Sequence, residues 1–297
     1  MPGQLFNSPE KQWVRRRLWL PTLRDFHSRF LGEIKYLTFA GPQGHDLELF
    51  AIQQKLIRIE NIRIWENAPD VAKRLVQKYG PALKIKQGEA FDLCKAKNEK
   101  SFFPFHLVNL DYTSGAFHVD QPRRLPTKLE TVQMIINNQE EHATSFLLFL
   151  AVAAKADVDN DLGRLFVQKA AFDLAKRLGK TEPLFDLTRD LAKTYPETLA
   201  TIVPCIVIRM GGEHHFDTHC IGKAVYRPYR SAKTTILSFV FNLEYENVPL
   251  TLSSHQSMKL FDESIEDRQR KACALQLIDV NLKIPRRRRK IRSKQLP

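Results

Sequence analysis

Long apolar runs are missing from this sequence of 297 residues. The longest, Phe146 to Ala154, falls far short of the roughly 20 residues that a helix needs to cross a bilayer, which excludes a membrane-spanning helix. Near the N-terminus Arg15-Arg16-Arg17 stands before Leu18-Trp19-Leu20, but Pro21 and Arg24 cut that apolar segment short, so it does not read as a signal peptide. Cysteine is scarce. The four present, Cys94, Cys205, Cys220 and Cys273, have no paired spacing, which excludes a disulfide framework or a zinc knuckle. A reducing cytoplasm is the expected location. Glycine is scarce as well, and no Lys-Ser/Thr pair follows any glycine cluster, so a nucleoside-triphosphate P-loop is excluded.

Charge of one sign is abundant. The formal net charge is +13, and eight positive charges fall between Lys283 and Lys294 with no acid among them. Arg286, Arg287, Arg288, Arg289, Lys290 and Arg292 form a run suited to a nucleic acid, DNA or RNA, because clustered cations release counterions from phosphates without reading sequence. The run lacks interleaved bulky apolar residues, so a membrane partner is not expected. The alternative is a solvated tail or a localisation signal. A protein partner or a second copy is left open.

Ser8-Pro9-Glu10 has the makings of a helix start: a capping serine, a proline whose missing N–H does no harm, then an acid in the first turn. Two helical pieces are expected to break near Pro21 and to pack on the domain that begins at Tyr36. From Tyr36, strands and helices alternate. Tyr36 to Ala40 is β-compatible and stops at Gly41-Pro42-Gln43-Gly44, with a helix opening at Leu47; the glycines let the backbone turn and approach a ligand. Ile62 to Trp65 is a second strand ending in Glu66, and a helix covers Asp70 to Lys78. Leu83 to Lys86 is a third strand, ending at Gln87-Gly88-Glu89. Phe105 to Leu110 is a fourth, ending at Asp111.

Thr127 to Glu130 has capping-box spacing and opens a helix. Ser145 to Val152, uncharged, suits a strand buried on both faces. Helices are expected over Leu162 to Leu178 and over Glu197 to Arg209, the latter broken at Gly211-Gly212. His215 to Tyr226 and Thr235 to Tyr245 read as an antiparallel pair, and a further helix is placed near Asp262 to Gln276. The expected fold class is α/β: a mostly parallel sheet with helices on both faces, a C-terminal antiparallel strand pair and an N-terminal helical segment. The organisation is a lead-in over 1–35, the α/β domain over 36–247, an extension over 248–282 and a basic tail over 283–297.

Order and spacing over Tyr36 to Tyr245 resemble the Rossmann-like class I S-adenosylmethionine-dependent methyltransferases. The steps from Gly41 through Glu66 and Glu89 to Asp111 are 25, 23 and 22 residues. The resemblance implies S-adenosylmethionine as cofactor, with Gly41 and Gly44 at its methionine part, Glu66 on the ribose hydroxyls and Glu89 beside the adenine. It also implies that Asn109, Asp111 and Tyr112 face the acceptor as catalytic candidates. Asn109-Leu110-Asp111-Tyr112 is similar to the Asn/Asp-Pro-Pro-Tyr/Phe signature of enzymes that methylate exocyclic amines, where polar oxygens accept from the amine and an aromatic ring stacks on the flipped base. Both prolines are replaced here. Asp111 alone would serve as an amine-orienting carboxylate or general base, or else it caps a turn. Phe39 stands where the family carries an acid, and Pro42-Gln43 occupies the middle of the glycine loop.

The reading is a methyltransferase acting on a nucleic acid or a nucleotide-like substrate. One alternative is a silent relative serving as a nucleic-acid-binding or assembly subunit, which Phe39 and the altered fourth-strand motif favour. The other is a small-molecule methyltransferase. No metal is expected: His214, His215, His219 and Cys220 with Asp217 lack a second ligand pair of familiar spacing, although His215 and His219 would share one strand face. Cys94 and Cys205 lack the Pro-Cys setting of a nucleophile at the fourth strand, and Cys205 reads as core.

Overall fold

The alternation expected from Tyr36 is present in the computed structural model, which describes residues 8–88, 102–115, 117, 119, 125–154, 160–179, 191–228, 234–246 and 254–284. Eight strands form one sheet in the order β3-β2-β1-β4-β5-β7-β6-β8. They are β1 (Tyr36–Thr38), β2 (Ile62–Glu66), β3 (Lys84–Gln87), β4 (Leu107–Gly115), β5 (Phe146–Ala153), β6 (Phe216–Tyr226), β7 (Ile236–Tyr245) and β8 (Ile278–Asp279). The first five run parallel. β7 lies antiparallel between β5 and β6, and β8 closes the far edge parallel to β6.

β5 shows why the sheet is two-sided. Leu147, Phe149, Ala151 and Ala153 enter one apolar cluster while Phe146, Leu148, Leu150 and Val152 enter the other, all at 1% exposure or less. Period-two alternation of an uncharged run between two helical layers is the behaviour of a central strand. One layer holds α1 (Pro9–Val14), α2 (Leu20–Arg29), α3 (His45–Leu47) and α4 (Pro69–Tyr79). The other holds α5 (Thr127–Glu140), α6 (Asp161–Arg177) and α7 (Leu191–Glu213), with α8 (Ser254–Ala274) laid on α7.

Several boundaries differ from expectation. The lead-in does not break at Pro21: α1 continues through a π turn (Arg15–Trp19) into α2. Pro21 falls in the first turn of α2, directly after the ladder changes register, where its missing N–H interrupts nothing. Ser8 caps α1 as expected, its side chain accepting from the Lys11 N–H. Trp19 pins this segment to the sheet. It is fully buried, stacks on Phe149 with ring centroids 5.2 Å apart, and donates from Nε1 to Ser238 Oγ at 3.1 Å.

α7 runs through Gly211-Gly212 instead of stopping there. A Cβ on Gly211 would lie 1.9 Å from Thr218 Oγ1 of β6, so the glycine serves close helix–strand approach, not termination. α5 starts at Thr127, with Pro126 in the cap position and no side-chain cap bond, so the capping box does not form. β8 and α9 (Val280–Lys283) carry no clear local signal in the sequence; they lie against β6 and, for α9, α1.

Candidate functional site

The chain leaves β1 toward β2 on one side and returns at β4 on the other, so the carboxyl ends of β1 and β4 flank a topological switch point, where open α/β sheets bind ligands. A cavity of about 300 Å³ opens there. Phe39 to Pro42 line it after β1, Trp65, Glu66 and Asn67 at the end of β2, Val71 on α4, Gly88 after β3, and Asp111 with Tyr112 on β4. Of the residues singled out in the sequence, Gly41, Glu66, Asp111 and Tyr112 meet in this one cavity. Gly44 and Asn109 are not part of its lining. Glu89, next to Gly88, lies outside the described residues, as do Cys94 and the tail from 285 onward.

Gly44 turns the loop. Its φ of +57° is the left-handed conformation that glycine tolerates, and a Cβ would stand 2.9 Å from the Tyr79 ring of α4. The Tyr79 hydroxyl donates to the Gly44 carbonyl at 2.9 Å. Beneath the loop, Asp46 is buried at 2% exposure. Its Oδ2 accepts from the Tyr36 hydroxyl at 2.6 Å, from Thr38 Oγ1 at 2.8 Å and from Asn109 Nδ2 at 3.2 Å. Burial and the neighbouring carboxylate push the Tyr36 phenol well above its ordinary pKa, keeping it a donor. Asn109 thus braces the glycine loop by tying β4 to β1 and α3.

Glu66 is half-buried, and its Oε1 accepts the Ala68 N–H at 2.9 Å. Burial raises its pKa. Trp65 beside it meets Phe102 edge-on at 5.9 Å and carries Lys86 Nζ 5.4 Å from its ring centroid. Across the cavity Phe39 packs against Tyr112 with centroids 5.5 Å apart, and Lys128 Nζ stands 5.3 Å over the Tyr112 ring. Where the resemblance expects a carboxylate, this corner is aromatic.

Asp111 is the most constrained of the lining residues. It forms an ion pair with Lys11 of α1, the two residues being 9% and 3% exposed. Burial lowers the pKa of Lys11, against the opposing pull of Asp111; Arg15, also buried, lowers it further. Sequence reasoning missed this pairing. The available signal was phase: Lys11, Arg15 and Trp19 succeed one another at four-residue steps on a helix whose tryptophan had to be buried.

The strand order, the reversed β7 and a cavity at the switch point decide the architecture. The chain has a Rossmann-like α/β fold, a mostly parallel sheet closed by an antiparallel strand pair. No protein-family model matches it, and no curated sequence matches it. Among solved structures it is similar to a transferase of Pyrococcus horikoshii, at 8% identity and TM-score 0.40, over 76% of this chain and 63% of that one. It is similar to human methyltransferase-like protein 13 in complex with SAH, at 11% identity and TM-score 0.38, over 89% and 93% of the two chains. It is also similar to the CurJ carbon methyltransferase, at 10% identity and TM-score 0.43, over 82% and 58%. The chain therefore spans less than two thirds of the first and third of these, and the likeness is one of fold.

The histidine and cysteine residues of the C-terminal half lie away from the cavity's lining. His215 precedes β6 with φ +60°, so it does not share a strand face with His219 as expected. His219 contacts Asp217 at 2.9 Å, and Asp217 is held by Arg268 at 2.7 Å, while His214 meets Glu140 at 2.8 Å. Among the described residues no three His, Cys, Asp or Glu side chains gather as a metal site. Cys205 is buried with its sulfur 3.7 Å from that of Cys273; its neighbour and burial raise its thiol pKa, as befits core and not a nucleophile.

Proposed function

We propose that the protein binds S-adenosylmethionine in the switch-point cavity and transfers its methyl group to a nucleic acid or a nucleotide-like acceptor. The observation that carries this reading is the convergence on one cavity of Gly41 from the loop after β1, Glu66 from the end of β2 and Asp111 from the middle of β4. The lining fits such a cofactor: Gly41 leaves the backbone approachable, Glu66 offers a carboxylate for paired hydroxyls, and Trp65 with Val71 gives apolar cover for a ring. The volume is at the lower end of the roughly 300–1,000 Å³ usual for ligand pockets. Bound there, the cofactor supplies an electrophilic methyl group. Asp111 would orient an acceptor amine and take its proton, and Tyr112 would present a ring face to a base. In this reading residues 36–247 are the methyltransferase domain, 1–35 a helical lead-in, 248–282 an extension and 283–297 a basic tail.

The test is calorimetric titration with S-adenosylmethionine and S-adenosylhomocysteine, repeated on Glu66→Ala. The expected result is binding that weakens at least about tenfold in the variant, roughly 1.4 kcal/mol. Failure of the unmodified chain to bind either ligand at millimolar concentration would sink the reading.

A second reading is favoured by a specific observation. Asp111 is occupied by Lys11, and Phe39 replaces the family's acid, as in a silent relative that serves as a nucleic-acid-binding or assembly subunit. Cofactor binding without transfer of labelled methyl to RNA or DNA would select it.

A further inference from the structure

The geometry points to a basic surface on the folded domain itself, formed by Arg16, Arg17, Arg227 and Lys283, that binds the phosphate backbone of a nucleic acid at the edge of the sheet where the cavity opens. The proposal rests on the methyltransferase reading only for what such binding would deliver to Asp111.

Lys11 and Arg15 are turned into the protein, each 3% exposed, so the same helical turn must present Arg16 and Arg17 outward, and both are exposed. α1 touches both α9 and β6. Arg227 follows the end of β6 and is exposed, its backbone N–H donating to Asn281 Oδ1 of α9 at 3.4 Å. Lys283, also exposed, ends α9. Ile284 then packs on the same apolar cluster as Val14 and Trp19. Lys283 is thereby held beside the arginine-bearing turn.

The acids on these elements do not neutralise the surface. Asp279, half-buried, accepts from the Asn281 N–H at 2.9 Å, and Glu10 is half-buried, so the two are outnumbered by the exposed Arg16, Arg17, Arg227 and Lys283. Arg16, Arg17 and Arg227 form no ion pair among the described residues. The bulky apolar side chains of the turn, Trp19 and Leu20, face inward, and Leu282 is a single exposed leucine of the ordinary kind. A surface that offers cations without an apolar wedge suits phosphates in water better than a lipid interface.

The experiment uses the full chain and follows anisotropy of a labelled single-stranded RNA and of a DNA duplex across a salt series. The variants are Arg16→Ser/Arg17→Ser and, separately, Arg286 to Arg289→Ser, with S-adenosylhomocysteine affinity and thermal stability as controls. Removing the helical pair should weaken binding to at least one of the nucleic acids and flatten its salt slope by about 1.5, the value for two lost phosphate contacts. Unchanged affinity and slope in that variant would overturn the proposal, as would binding to phosphatidylserine vesicles with neither nucleic acid bound. Arginine-dependent nucleic-acid binding in a protein that ignores S-adenosylhomocysteine would uphold this surface while removing the cofactor reading.

Discussion

The two walls of the cavity are built to opposite plans. On one, Glu66 is half-buried and its oxygen is satisfied by an N–H two residues further on. On the other, Asp111 is sealed by a cation brought from a helix 100 residues away in sequence. A half-wet carboxylate with a local bond can exchange that bond for a ligand hydroxyl at little cost. A carboxylate in a buried ion pair cannot be uncovered without stranding a charge. A group that approached the first wall would displace one local hydrogen bond; at the second it would compete with Lys11.

The largest expected effect breaks the sealed wall. Lys11→Met leaves Asp111 buried and unpaired, and denaturant unfolding should show a loss of about 3–5 kcal/mol. The double variant Lys11→Met/Asp111→Leu should recover most of it, because replacing both partners by apolar groups is often neutral. A single variant within about 1 kcal/mol of the parent would mean that the pair behaves as a solvated surface bridge. At the open wall the pattern reverses. Glu66→Ala should change stability by no more than about 0.5 kcal/mol, so its loss of cofactor affinity can be read without a folding correction.

The smallest effect lies at the opposite edge of the sheet. His106 stacks near Phe30 with centroids 4.3 Å apart and accepts the Lys35 N–H through Nδ1 at 3.0 Å. Burial, with Lys35 nearby, pulls its pKa from 6.5 to about 4. The unfolded chain then binds more protons at this site, so its contribution to stability is complete above pH 6.5 and is lost as pH falls toward 4. His106→Gln should flatten that part of the stability profile and leave ligand affinity at either wall unchanged.

Much of the sheet was legible because its signals are local. The uncharged run of β5, the glycine stop after β1 and the long strands β6 and β7 each report period or turn within a dozen residues. Gly41, Glu66, Asp111 and Tyr112 could be brought together because parallel strands point to one edge, although β4 runs on past the expected stop at Asp111 to Gly115. What stayed hidden was directional or distant. Nothing in a glycine says whether it will line a cavity, as Gly41 does, or make room for a tyrosine, as Gly44 does. Gly211 likewise reads as a helix stop, yet it is a contact with Thr218. No local pattern announces that Lys11 and Asp111 will find each other.

The contact between α1 and α9 has a practical corollary. Both described ends of the chain, Ser8 and Ile284, emerge on the flank of the sheet that carries the cavity. The exposed Pro81-Ala82 turn between α4 and β3 faces the far side. A label placed there would watch the protein without standing in its doorway.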